Sequence, residues 1–184
     1  PLSLAPALLG ALGEGNDLGG QPLLLAEGVV AADATWRDPG VPVEVEGPID
    51  VDGAVLTLDA GLDLRVRDGF TLAVGRLEPA VLRVQGAPER PVVLRGLSDK
   101  RGAWDAIVLH PLAHDVHLRH LHLRNAGGDA AVQVLGGASA DIDGLLCTRC
   151  FAPALAWSCD AHLQRGQIDA RDGTPAALVP PACD

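Results

Sequence analysis

The chain has 184 residues, enough for one domain with a sizeable core, and 24 acidic against 14 basic residues give it a formal charge of −10. Such an acidic protein repels phosphate backbones and anionic lipid heads, so nucleic acids and membrane surfaces are disfavoured as partners. Apolar residues make up 48% of the chain and aromatic residues only 3%, so the core must consist mainly of Leu, Val, Ile and Ala.

Residues 1–34 are predicted to form a lead-in or cap that precedes the repetitive part of the chain. Their apolar residues include Leu4, Leu8, Leu9 and Leu12. This spacing fits a short amphipathic helix that could cover an open end of the fold, and it fits an irregular or extended lead-in equally well. The longest apolar runs of the chain, such as residues 23–26, are too short to cross a bilayer, so no membrane insertion is expected.

The sequence also predicts a processed chain. It contains no Met, and no basic stretch leads into an apolar one. We therefore expect that any targeting signal has been removed.

Short apolar segments separated by turns begin near residue 35. Alternating or apolar runs bounded by glycines predict strands. They cover residues 55–58, 62–66, 70–74, 81–84 and 92–94, with Val43, Val45, Ile49 and Val51 in an earlier turn of the chain.

A period becomes clear from Ala106 onward. Repeat units start at Ala106, Ala130, Pro153 and Ala176, so the steps are 24, 23 and 23 residues. Apolar positions recur in each unit, and a period in the twenties with short strands is typical of a solenoid. The predicted columns are Val108, Val132, Leu155 and Leu178; Leu118, Ile142 and Leu163; and Leu123, Cys147 and Ile168.

This pattern predicts an all-β, right-handed parallel β-helix over residues 35–184. One coil cannot bury its inward side chains alone, whereas coils stacked about 4.8 Å apart pair every strand with its counterpart one turn on. We expect five to six coils. The two ends expose unpaired backbone, so each needs a cover, and an exposed end would allow self-association.

Several segments resemble bacterial right-handed parallel β-helix repeat proteins of the pectin-lyase-like superfamily. The segments are residues 36–46, 56–61, 86–94, 102–109 with Trp104, and 121–127. The resemblance covers about residues 35–184 and implies the fold; its motifs encode turns and core columns and imply no particular activity. The chain departs from the family at residues 105–106, where a glycine is usual, and in its C-terminal cysteines.

Asp141 and Asp143 are the best candidates for catalysis. They alternate on one predicted strand, with Asp115 one coil before and Asp160 near them one coil after. Polysaccharide lyases and hydrolases on the β-helix fold need carboxylates held close together on neighbouring strands. The alternative is a solvated acidic edge of the kind that an acidic surface produces anyway.

His117, His120 and His122 are the candidates for metal binding, because five of the six histidines lie between residues 110 and 122. His120 and His122 are expected on one strand face, with His117 on the preceding turn. The alternative is a polar outer face that uses histidine. No resident metal or cofactor is predicted.

Four cysteines lie in the last quarter of the chain and predict disulfides in an oxidising compartment. Cys159 and Cys183 are one coil apart and should pair, which leaves Cys147 with Cys150 by elimination. Three tryptophans could stack on sugars, although core packing is favoured for each: Trp36, Trp104 and Trp157.

These observations favour a non-catalytic structural or adhesion module that is secreted or exposed on a bacterial surface or in the periplasm. Its expected partners are a second copy, other surface proteins or glycans. The alternative is a carbohydrate-active enzyme, such as a polysaccharide lyase or hydrolase, or a glycan-binding protein on the same fold, since fold does not decide function.

Overall fold

The chain winds into a parallel β-solenoid of about eight turns, with three parallel sheets and almost no helix. The structure is a computed structural model that describes residues 2–12 and 17–179. After the first strand, successive strands contribute in turn to sheet 1, sheet 2 and sheet 3, and each inner strand of a sheet pairs in parallel with the strands one coil before and after it.

The strands of each sheet follow the order of the coils. Sheet 1 consists of β1 (Leu2–Leu4), β2 (Leu23–Leu25), β5 (Val43–Val45), β8 (Asp63–Val66), β11 (Val92–Gly96), β14 (Leu121–Arg124), β17 (Leu145–Thr148) and β20 (Ile168–Arg171). Sheet 2 consists of β3 (Gly28–Val30), β6 (Ile49–Val51), β9 (Leu72–Val74), β12 (Ile107–Leu109), β15 (Val132–Val134), β18 (Leu155–Trp157) and β21 (Leu178–Val179). Sheet 3 consists of β4 (Ala34–Trp36), β7 (Val55–Asp59), β10 (Val81–Gln85), β13 (Val116–Arg119), β16 (Ser139–Asp143) and β19 (His162–Arg165).

The core is a set of aliphatic columns. Alternate residues of a strand point to opposite faces, so an alternating sequence puts its apolar set inside and its polar set outside. One column of sheet 1 runs through Leu23, Val43, Leu64, Leu94, Leu123 and Cys147, each at most 1% exposed. Full burial of one such Leu or Val side chain stabilises the fold by about 1.5–3 kcal/mol.

The predicted number of coils, five to six, is too low. Strands β1, β2 and β3 lie within the segment predicted to be a lead-in, and they pair with later strands in sheets 1 and 2. The 3₁₀ helix Pro6–Ala11 lies between β1 and β2, so this segment does not show the regular spacing of strands that marks the later coils.

A 3₁₀ helix, Pro6–Ala11, packs against β3 and β4, which are the first strands of sheets 2 and 3. Leu9 is buried, and the Trp36 indole N–H donates a 3.0 Å hydrogen bond to the Pro6 carbonyl. A Cβ on Gly10 would lie 2.3 Å from the Thr35 carbonyl oxygen, so this close approach needs glycine. The helix covers part of the N-terminal end of the solenoid.

In sheets 1 and 3, the predicted columns are correct for the central coils and shifted in the strands that follow. Leu118 pairs with Ile142, as predicted. Leu163 pairs with Ala140 and Ile168 with Leu145, each two residues from the predicted partner. Both i and i+2 of a strand face inward, so an apolar pattern alone cannot separate these registers.

The predicted column of sheet 2 is correct from Val132 through Leu155 to Leu178 and wrong at its first member, Val108. Val132 pairs with Ile107, whereas Val108 pairs with Gln133 on the outer face. Because neighbouring residues point to opposite faces, an error of one residue places Val108 on the wrong side of the sheet.

The predicted Cys147–Cys150 disulfide is confirmed, with a Cα–Cα distance of 6.1 Å and both residues fully buried. Cys183 lies outside the described residues, so the pairing of Cys159 with Cys183 stays a prediction. Within the described residues, no helix is long and apolar enough to cross a membrane.

Two of the tryptophans belong to the core. Trp36 and Trp104 are buried, and the Trp104 ring lies 6.0 Å from that of Phe70. Trp157 pairs with Val134 and is partly buried, and the Arg165 guanidinium stacks over its ring at 5.4 Å. Trp157 therefore helps to cover the C-terminal part of the core.

Candidate functional site

Sheet 3 brings several predicted site residues to one outer face. Strands β13, β16 and β19 form an open depression of about 570 Å³ there. Its polar lining residues are Asp115, His117, Ser139, Asp141, His162 and Gln164. His117, Asp141 and Gln164 occupy equivalent outward positions on the three consecutive strands, because the registers are His117–Asp141 and Asp141–Gln164.

The ionisable side chains of this face contact one another in a continuous row. Asp115 accepts a hydrogen bond from Arg83 at 3.2 Å and lies 3.0 Å from His117 Nε2. His117 Nδ1 is 3.9 Å from Asp141. Arg119 donates two hydrogen bonds to Asp141, one of them 3.0 Å long. The positive charges of Arg83 and Arg119 are therefore compensated by Asp115 and Asp141 across three consecutive coils.

These pairs shift the titration of two groups. The hydrogen bonds from His117 and then Arg83 lower the pKa of Asp115, which favours its ionised form. The hydrogen bond to Asp141 raises the pKa of Arg119, because the guanidinium is held in its charged form.

The two candidate catalytic carboxylates do different things. Asp141 is paired with Arg119, whereas Asp143 accepts a 2.8 Å hydrogen bond from the backbone N–H of Gln167. Asp143 thereby holds the corner that leads from sheet 3 to sheet 1. Asp160 lies on another corner, against Gly136. Of the predicted acidic group, only Asp115 and Asp141 line the depression.

The three candidate histidines lie on different surfaces. His117 lies on β13 of sheet 3 and His122 on β14 of sheet 1. The prediction that His120 and His122 share a strand face is wrong, because His120 has a φ of 46° and forms the corner between those strands. Among the described residues, no three His, Cys, Asp or Glu side chains are grouped to hold a metal ion.

Burial lowers the pKa of His122, and the nearby His120 and Arg171 lower it further. The neutral imidazole is therefore favoured at this position. This places His122 among the groups whose protonation opposes folding.

A row of arginines on the outer face of sheet 1 is the feature that sequence reasoning missed. Arg65, Arg95 and Arg124 occupy equivalent positions on β8, β11 and β14. Each follows an inward leucine (Leu64, Leu94 and Leu123), at steps of 30 and 29 residues. This recurrence was the available signal, and the looser spacing of the N-terminal coils obscured it.

No protein-family model matches the chain, and neither curated proteins nor solved structures gave a match. We therefore base the functional proposals on the charged outer faces of sheet 3 and sheet 1.

Proposed function

We propose that this chain is a non-catalytic structural or adhesion module of a secreted or cell-surface protein. The observation that supports it most is the pairing of outward charges on sheet 3, where Arg83, Asp115, His117, Asp141 and Arg119 engage one another. A rigid face whose charges are already compensated suits shallow, repeated contacts.

The same pairing argues against acid–base cleavage of a glycan. Such enzymes need one carboxyl group to donate a proton and a second group to act as base or nucleophile across the bond. Both carboxylate oxygens of Asp141 are already occupied by hydrogen bonds from Arg119, so neither is free to act on a glycosidic bond. Asp143 holds a backbone N–H instead.

The proposal includes secretion and a bacterial origin. The buried Cys147–Cys150 disulfide supports an oxidising compartment, since cytosolic thiols are kept reduced. The motif resemblance of residues 36–127 to bacterial pectin-lyase-like β-helix proteins supports the origin, and the parallel solenoid agrees with it.

Self-association through the coil ends extends this proposal. Among the described strands, sheet 1 begins with β1 and ends with β20, and both run in the same direction. A second copy translated along the axis could therefore place its β1 beside β20. At the C-terminal end, inward Leu163, Ile168 and Leu178 are only partly buried. Sedimentation velocity over a hundredfold concentration range should show reversible association. A sedimentation coefficient that stays at the monomer value throughout would refute self-association.

The second candidate function is binding or cleavage of a glycan. The depression on sheet 3 favours it, because imidazole, carboxylate and amide groups of His117, Asp141, His162 and Gln164 converge there. Such groups can hydrogen-bond the hydroxyls of a sugar.

A glycan array combined with a reducing-sugar assay tests both candidates. The module is expected to release no reducing ends from any glycan, whether or not it binds one. Cleavage that disappears in the Asp141→Asn, Asp143→Asn double variant would overturn the non-catalytic proposal in favour of the enzyme. The Asp129→Asn variant, an exposed aspartate outside the depression, serves as the control.

A further inference from the structure

The arginine row on sheet 1 brings three like charges together. Arg65, Arg95 and Arg124 follow one another at the spacing of neighbouring strands, about 4.8 Å between backbones. Like charges directly opposite each other destabilise a sheet. The row is positive although the chain as a whole has a formal charge of −10, and nearby anionic groups would offset the repulsion between the arginines.

The compensation within the chain is incomplete. Arg95 donates two hydrogen bonds to Asp63, at 2.9 and 2.6 Å. Arg124 donates one, of 3.1 Å, to Asp99, whose side chain is 84% exposed. Arg65 makes no hydrogen bond or ion pair with any described residue, although Glu44 is its register neighbour on β5. An exposed single-bond pair such as Arg124–Asp99 is weak, because water and salt screen it.

The row borders a concave surface that is rich in donors. A depression of about 280 Å³ is lined by the three arginines together with Gly96, Leu97, Asp99 and Asn125. The Arg149 guanidinium and the buried Asn125 amide each donate a 3.1 Å hydrogen bond to the Asp99 carbonyl. Arg149 Nε is buried and has no acceptor among the described residues. The donors here outnumber the acceptors that the described residues supply.

We propose that this depression, the arginine pocket, binds a ligand with at least two oxyanion groups, carboxylate, sulfate or phosphate, that reach Arg65 and Arg124 together. The planar guanidinium matches such groups with two parallel hydrogen bonds. The Asp99 carboxylate occupies Arg124 when the pocket is empty, and the ligand displaces it. This inference does not depend on the function proposed above.

Isothermal titration calorimetry on the full chain tests the proposal, with tripolyphosphate and citrate as multivalent probes and inorganic phosphate and acetate as single-group controls. We expect a multivalent probe to bind more tightly than its single-group counterpart, with an affinity that falls as salt rises. Binding of tripolyphosphate alone would assign phosphate chemistry, and binding of citrate alone would assign carboxylate chemistry.

Three variants localise the binding. Arg65→Gln should weaken it about tenfold, the equivalent of one charge-assisted hydrogen bond. Asp99→Asn should strengthen it, because the competing carboxylate is gone. Arg37→Gln, a solvent-exposed arginine that pairs with Asp59, is the matched control and should change nothing. Arg65→Lys keeps the charge but loses the planar fork, and it should fall between wild type and Arg65→Gln.

Two results would overturn the proposal. One is the absence of binding of either multivalent probe at millimolar concentration to protein whose circular dichroism and thermal unfolding show that it is folded. The other is an equal loss of affinity in Arg37→Gln and Arg65→Gln, which would mean diffuse attraction to cationic side chains and no defined pocket.

Discussion

Arg119 on β13 reaches diagonally to Asp141 on β16, although the residue directly opposite it in the sheet is Asp143. Diagonal neighbours in a sheet are within reach of a long side chain. As a result, Asp141 accepts the hydrogen bonds of the Arg119 guanidinium, whereas Asp143 accepts the hydrogen bond of the Gln167 backbone N–H at the corner. Two carboxylates that look alike in sequence thereby acquire separate structural roles.

The first prediction concerns this ion pair. Asp141→Asn should lower the free energy of unfolding by up to about 1 kcal/mol, because the pair is partly exposed and screened by solvent. Urea unfolding followed by circular dichroism measures the change. Asp129→Asn removes the same charge from an exposed position and should cost less. Equal effects in the two variants would show that the pair contributes only through net charge.

The second prediction concerns the core columns. Ile142→Ala should destabilise the fold by about 2–5 kcal/mol, because it leaves a cavity at a fully buried position in the middle of the stack. Leu163→Ala, in the last strand of the same sheet, should cost clearly less, because Leu163 is already partly exposed. Chemical denaturation of both variants tests this order. The reverse order would contradict the burial gradient along the axis.

The repeat in the sequence was sufficient to predict the strands and the stacking of the middle coils. Leu118 over Ile142 is an example, because both flanking coils keep nearly the same length. The sequence alignment fails at Leu163 in β19, because a shift of two residues keeps the side chain on the inward face. The first coils were not predicted because the 3₁₀ helix Pro6–Ala11 between β1 and β2 interrupts the regular spacing of strands there.

The candidate sites were harder to predict than the fold. His120 was placed on a strand, because nothing in its neighbours marks the left-handed corner that a non-glycine residue adopts there. The arginine row lies on an outer face, where the hydrophobic period carries no information. Its members become neighbours only when the coil lengths of the N-terminal half are known.

The third prediction concerns pH. The pKa of His122 lies below its ordinary value of 6.5, chiefly because of burial, so the unfolded chain binds this proton more readily than the folded one. Stability should therefore decrease as pH falls below about 6.5 and should stop responding to this group once pH is below its folded pKa. His122→Gln should show a smaller loss of urea midpoint between pH 7.5 and 5.5 than wild type.

His114→Gln is the matched control for this experiment, since His114 is exposed and lies on a turn. It should retain the wild-type pH dependence. If His114→Gln and His122→Gln flatten the profile equally, burial of His122 is not the cause.

The fourth prediction concerns the Cys147–Cys150 disulfide. The bridge closes a very short loop, so the chain-entropy model gives it about 2 kcal/mol of stabilisation. Cys147→Ala, Cys150→Ala should lose this and an additional amount for the cavity in the inward column. Cys147→Val, Cys150→Ala fills that column and shares the other losses, so it should be the more stable of the two variants. Differential scanning calorimetry separates the two, and equal melting temperatures would show that packing of Cys147 is unimportant.

Backbone nuclear Overhauser effects between neighbouring strands test the stacked-coil architecture most directly, since every surface described above depends on it. We expect parallel contacts in solution that connect Leu118 with Ile142 on sheet 3, and Arg65 with Arg95 and Arg95 with Arg124 on sheet 1. Antiparallel contacts within these strands, or parallel contacts that place the three arginines out of register, would contradict this architecture.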